Sequence, residues 1–197
     1  MAGILQGHLP TPLNAAGRIQ ATRLAERLRV YEPRVERLVS SDLPRALQTA
    51  APVSAALGIP VEIDHAWRER GYGKLEGVDP DRREALRRTA DDDALGAEPV
   101  DRLEQRLAAA LRVFTDAYGA SDTPRAFAVM THGGVIRRIL RMLREGRLPA
   151  AGEMPELAPV QNASIFHLAW EGGAFRAIAF NDDSHLGVVE STAIDID

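Results

Sequence analysis

Short apolar segments alternate along this chain with amphipathic helical ones, and that alternation restricts the fold more than any other feature. Leu38-Val39-Ser40, Val61-Glu62-Ile63 and Ala126–Met130 read as strands. Asn14 can N-cap a helix running to about Tyr31, with Ile19, Leu24 and Leu28 on one face. Pro44 sits in the first turn of a second helix that Gly58 closes. Pro99 opens a third, with Leu103, Leu107, Leu111 and Phe114 inward and Gly119 at its end, and a fourth covers Val135 to Glu145. Ala163 to Trp170 and Ala174 to Phe180 flank Glu171-Gly172-Gly173, a hairpin signal. Strands alternating with helices predict a three-layer α/β/α sandwich around a mostly parallel, mixed sheet, with the hairpin as its antiparallel edge. The polar stretch 78–98, which holds Asp91-Asp92-Asp93, reads as a small cap or loop region. No repeat or linker divides the chain, so residues 1–197 are expected to form a single domain.

Composition narrows the chemistry. The 197 residues are 45% apolar, enough for a substantial core. There is no cysteine, which excludes a disulfide framework, a thiolate zinc site and a cysteine nucleophile, and with the last the cysteine phosphatases. A net charge of -4 does not predict a nucleic-acid or membrane-surface binder. No apolar run approaches the roughly 20 residues of a membrane helix. Met-Ala-Gly-Ile-Leu at the N-terminus is not a secretory signal, so a soluble cytoplasmic protein is expected. Lys74 is the only lysine among 24 basic residues, which points to coding bias more than to function. A Gly-x-x-x-x-Gly-Lys nucleotide loop is missing, and the adjacent aspartates are expected to face solvent rather than a metal.

Three segments carry chemistry. In Met130-Thr131-His132-Gly133-Gly134-Val135-Ile136-Arg137 a strand ends in a histidine and a helix begins after two glycines. Helix N-termini offer free N–H groups to anions, and ligands of open α/β sheets bind beyond the carboxyl ends of strands. In Ser40-Ser41-Asp42-Leu43-Pro44-Arg45 another strand gives way to a helix with Arg45 in its first turn. A cation there opposes the helix dipole unless an anion joins it, and the guanidinium fork suits phosphate. The third is the loop Trp67-Arg68-Glu69-Arg70-Gly71-Tyr72-Gly73-Lys74-Leu75-Glu76-Gly77, where a carboxyl group of raised pKa could protonate a leaving alkoxide. Each has a plain structural alternative: a turn histidine, a solvated arginine, and a loop in which Glu69 pairs with Arg68 or Arg70.

Together and in this order, Ser-Asp-Leu-x-Arg-Ala-x-x-Thr-Ala, Arg-Glu-x-x-x-Gly-x-x-Glu-Gly and Thr-His-Gly-Gly-x-Ile-Arg resemble the successive motifs of the histidine phosphatase superfamily, in its phosphoglycerate-mutase-like branch. Gln6-Gly7-His8-Leu9 through Gln20-Ala21 resembles the segment before that family's first helix. Asn162-Ala163-Ser164 and Asn181 to Leu186 resemble its C-terminal strands. The resemblance implies that Arg45 and Gly133 bind phosphate, that Glu69 is the general acid and that His132 holds the phosphoryl group. It also implies that Gln6, Gly7, Arg70 and Tyr72 touch a small phosphorylated metabolite. No metal or other cofactor is implied. His65, His167 and His185 read as structural.

One departure is large. The family's attacking histidine lies in Arg-His-Gly at the end of its first strand, about ten residues before the Gln-Gly segment, and no Arg-His-Gly occurs here. Gln6-Gly7-His8 aligns with the later segment and is not a disguised copy. The expectation is therefore a phosphomonoester hydrolase whose nucleophilic strand is missing from the sequence as given, through a late gene start or truncation. The alternative is a non-catalytic binder of phosphate esters or of a partner. A mutase is disfavoured, because the region after Glu76-Gly77 is short. In the resembled family the first strand is central, so edges after Pro124 and around Leu38 are expected to face a gap.

Overall fold

The computed structural model describes residues 4–119 and 123–187. Helix α1 (Ala15–Arg29) starts at Asn14, whose side chain accepts the Gly17 N–H. Strand β1 (Val35–Ser40) leads to helix α2 (Pro44–Leu57), closed by Gly58 in the left-handed conformation. Strand β2 (Val61–Ile63) is followed by two single 3-10 turns, His65–Trp67 and Gly73–Leu75. The polar stretch 78–98 is not wholly irregular. Asp79 caps helix α3 (Pro80–Thr89), which buries none of its residues. Helix α4 (Val100–Tyr118), strand β3 (Ala126–Met130), helix α5 (Gly133–Arg144) and the strands β4 (Ile165–Glu171) and β5 (Ala174–Asp182) complete the order. Helix α5 begins two residues before the expected Val135, because the glycines themselves form its first turn.

The parallel sheet has the order β2-β1-β3, with Leu38 opposite Val61 on one side and Ala128 on the other. The residues of β1 feed two cores, with a register shift between Val35 and Arg37 that puts Val35 on the same side as Leu38. Leu38 and Val35 pack with Leu24, Leu28, Val53 and Leu57 of α1 and α2. Val39 packs with Leu103, Leu107 and Leu111 of α4 and Val135, Ile139 and Leu143 of α5. Of the residues expected on the inner face of α1, Ile19 is instead exposed at 52%, while Leu24 and Leu28 are buried.

The hairpin departs from the expected single sheet. β4 and β5 form a separate two-stranded antiparallel sheet. β4 nevertheless lies between the same helical layers as β3. Ile165 packs against the α1/α2 core, and Phe166, Leu168 and Trp170 pack against the α4/α5 core. Among the described residues no strand pairs with the second edge of β3 or of β4. The edge expected around Leu38 is not open: β1 is the middle strand and is paired on both sides.

Candidate functional site

The carboxyl ends of β1 and β3 lie side by side, since Ser40 is in register with Met130 and the Ser41 N–H donates to the Met130 carbonyl at 2.9 Å. The chain therefore delivers two strand-to-helix turns to one place. From the first comes Arg45, in the first turn of α2; from the second comes His132, the N-cap residue of α5. Their side chains meet, with Arg45 Nε donating to His132 Nδ1 at 3.2 Å. Arginine only donates, so Nδ1 is the acceptor and a neutral His132 carries its proton on Nε2, 2.9 Å from Ser41 Oγ. Burial, and next the positive charge of Arg45, pull the His132 pKa down to about 3. The ring is thus neutral at pH 7, and an arriving phosphoryl dianion would favour its charged form.

Glu69 reaches the same corner from the loop after β2. It is 4% exposed. Its carboxylate accepts the N–H of Arg70 at 2.8 Å and that of Gly134, in the first turn of α5, at 3.0 Å. Burial is the leading influence and pushes its pKa up, against those two N–H bonds and the charges of Arg45 and Arg106. Neither arginine flanking it in sequence forms an ion pair with it. Arg68 pairs with Asp42, and Arg70 pairs with Asp92 at 2.8 Å. The salt-bridged-loop alternative therefore does not describe Glu69.

The N-terminal turn closes the site from above. Gly7 has φ +46, and its carbonyl accepts Arg45 Nη2 at 2.8 Å. A Cβ on Gly7 would lie 2.1 Å from Glu76 Oε1. That oxygen accepts the N–H of His8 at 3.0 Å and of Tyr72 at 2.8 Å. Gln6 is half-buried, and its carbonyl accepts the Leu9 N–H. Tyr72 is buried with Arg70 over its ring at 5.4 Å; burial pushes its hydroxyl pKa up to about 12. Gly133 is half-buried at the start of α5, and a Cβ there would meet Val160 at an ordinary 3.6 Å. The structure therefore joins Arg45, His132 and Glu69 around the N-terminus of α5. It places Gln6, Gly7, Arg70 and Tyr72 in the turn and loop beside them.

Four contributors to this arrangement have no role in the sequence reading. Ser41 partners His132. Gly134 admits Glu69, because a Cβ there would lie 2.4 Å from Glu69 Oε1. Glu76 ties the N-terminal turn to the loop. Arg106 grips the loop from α4. The first three stand inside the quoted motifs, where adjacency was the available signal. Arg106 is one of many arginines on an amphipathic helix and carried none. The remaining histidines lie apart from the Arg45–His132 contact: His167 bonds Tyr31 at 2.6 Å, His185 donates to the Ala163 carbonyl at 3.0 Å, and His65 approaches Asp42 at 3.4 Å.

Comparison with known proteins places this geometry. The family model of the histidine phosphatase superfamily (branch 1) matches residues 1–183. The chain is 34% identical to phosphoglycerate mutase-like protein 4 of Arabidopsis thaliana, over 92% of this chain and 79% of that protein. It is 33% identical to a glucosyl-3-phosphoglycerate phosphatase of Mycolicibacterium vanbaalenii, over 91% of this chain and 85% of that protein. A solved mycobacterial glucosyl-3-phosphoglycerate phosphatase in complex with VO3 superposes with a TM-score of 0.70 at 27% identity, covering 92% of both chains.

Proposed function

The chain belongs to the histidine phosphatase superfamily, and from that membership we propose that it hydrolyses phosphomonoesters of small metabolites through a phosphohistidine. The observation that carries this reading is the convergence of a neutral buried histidine, an arginine and a buried carboxyl of raised pKa on one helix N-terminus. Arg45, the Nε2–H of His132 and the amides opening α5, that of Gly133 among them, are suited to the phosphoryl oxygens. The attacking histidine comes from a strand outside these 197 residues, seated between β3 and β4, whose second edges pair with no strand among the described residues and whose side chains pack on the same two helical cores. Its ring nitrogen forms the N–P bond as the ester oxygen departs with the Glu69 proton. Water then takes the phosphoryl group from the histidine. Charge is met by Arg45 and His132, so the scheme uses no metal. Gln6, Gly7, Arg70 and Tyr72 face the metabolite, in a cytoplasmic protein without nucleic-acid or membrane partners.

Hydrolysis is favoured over mutase chemistry because the cap is small. A mutase must shield its phosphohistidine from water, and α3, the helix in that cap, buries none of its residues. The test is Glu69→Gln in the active enzyme. Hydrolysis of a sugar phosphate, whose alkoxide must be protonated, should fall about 10²–10⁴-fold. Hydrolysis of p-nitrophenyl phosphate, whose leaving group hardly needs a proton, should fall far less. Equal losses on both substrates would remove Glu69 from the general-acid role.

A further inference from the structure

We propose that Arg106 is the positioning residue for Glu69: its guanidinium, aimed by Glu98, clamps the carbonyls of Ala66 and of Glu69 itself and fixes where the carboxyl points. The inference rests on Glu69 being the general acid. Arg106 stands on α4, and its guanidinium divides between two tasks. Nε and Nη2 form a bidentate pair with Glu98 at 2.7 and 2.9 Å. Nη1 donates to the Ala66 carbonyl at 2.6 Å and Nη2 to the Glu69 carbonyl at 3.2 Å. Glu98 is tied to the same loop through its backbone. Its N–H donates to the Gly71 carbonyl at 2.8 Å, and its carbonyl accepts Arg70 Nε at 2.8 Å. Residues 66–71 are thus held at four points, two by Arg106 of α4 and two by the backbone of Glu98 just before that helix, and Glu69 lies in the middle of them. Both members of the pair are mostly buried, with side chains 20% and 15% exposed, so the clamp is shielded from competing water.

The planar fork is what the arrangement requires. A lysine has the charge but cannot hold a carboxylate bidentately while also donating to two carbonyls. The carboxyl that the clamp positions has little tolerance, because it must reach the Gly134 N–H past a residue that admits no side chain. A small displacement of a reacting group costs large factors in rate. The groups facing Glu69 are Arg45 from α2, Arg106 from α4, Gly134 at the start of α5, Arg70 and Tyr72 from its own loop, and His8, whose Nε2 donates to the Glu69 carbonyl at 2.8 Å.

Carboxyl 13C NMR of Glu69 across a pH titration tests the clamp without turnover, so its result is separate from that of the hydrolase reading. Arg106→Lys keeps the cation and removes the fork. The loosened carboxyl gains water, and its titration midpoint should move down toward that of an ordinary glutamate, since burial is what raised it. Arg106→Met should move it the same way, although losing a nearby cation alone would move it up. Glu98→Gln, which leaves Arg106 in place but unaimed, should give a smaller downward move and serves if Arg106→Met does not fold. An unchanged midpoint in Arg106→Lys would overturn the proposal, as would an upward move in Arg106→Met, which is the signature of a charge acting at a distance.

Discussion

β1 and β3 are neighbours in one parallel sheet and are both rich in apolar residues, yet they are protected very differently. β1 is paired on both sides, and four of its six residues are buried. β3 is paired on one side, and only Met130 of its five residues is buried. β4, in the same layer, has six half-buried residues and one exposed. Strands of a parallel sheet normally run between two covered faces. The difference teaches where the fold is self-sufficient and where it is open. Around β1 and α2 the fold is closed by its own residues, and β2 is only a three-residue outer strand, whereas the second edges of the longer apolar strands β3 and β4 pair with no strand among the described residues. The site sits on the border, with Arg45 and Ser41 from the closed half and His132 from the end of β3.

The largest expected effect concerns the open edge as the place of the attacking histidine. The 197-residue chain alone should hydrolyse p-nitrophenyl phosphate slower by several powers of ten than the same chain carrying an N-terminal strand that ends in Arg-His-Gly. Removing a covalent nucleophile typically costs rates of that order. Comparable steady-state turnover by the two proteins, unaffected by EDTA, would break the link between the open edge and the chemistry.

A second measurement asks whether the closed half truly seals the border. His132 is 6% exposed and has its pKa pulled from 6.5 to about 3. The unfolded chain binds a proton at His132 near pH 6.5 and the folded chain does not until about pH 3. Stability from this group is therefore fully present above about pH 6.5 and is lost as pH falls through the window between those values. One pH unit corresponds to about 1.4 kcal/mol, so acidification from pH 6.5 to 4 should remove on the order of 3 kcal/mol. Urea unfolding of the wild type and of His132→Gln over this range isolates the contribution. Glu69, with a raised pKa, contributes with the opposite sign and cancels in the difference between the two proteins. Parallel pH profiles would show that water reaches His132 through the β3 edge and that the border is open.

The legibility of the molecule follows the same division. Leu38-Val39-Ser40, Pro44 and Gly58 announced β1 and α2 because strand, cap and stop signals are local, and Asn14 announced α1 for the same reason. Arg45, Glu69 and His132 were legible as a set through their motifs. Their direct contacts were not, since register between β1 and β3 decides them. The separation of the hairpin was hidden because Ala163 to Phe180 carries the same alternation whether or not β4 finds a neighbour. The exposure of Ile19 was hidden by periodicity, which locates a helix face but not its limits. Arg106 was illegible because its partners, Ala66, Glu69 and Glu98, are brought to it only by the fold.

The smallest expected effect compares two leucines. Leu38, in β1, is 0% exposed and packs among Leu24, Val53 and Leu57. Leu168, in β4, is half-buried against the α4/α5 core. Truncating a sealed leucine loses its transfer energy and leaves a cavity, together about 2–5 kcal/mol. Leu38→Ala should fall in the upper part of that range, because no neighbour can close over the middle strand of a sheet paired on both sides. Leu168→Ala should cost less than about 2 kcal/mol, because part of its surface is already wet and the hole opens outward, where water can enter without a cavity penalty. Urea denaturation midpoints at constant m-value give both numbers. With the N-terminal strand added, the cost of Leu168→Ala should rise toward that of Leu38→Ala, since a neighbour paired to β4 would bury its flank. An unchanged Leu168 cost in that longer chain would mean that the added strand pairs elsewhere, and that the exposure of β4 belongs to the fold itself.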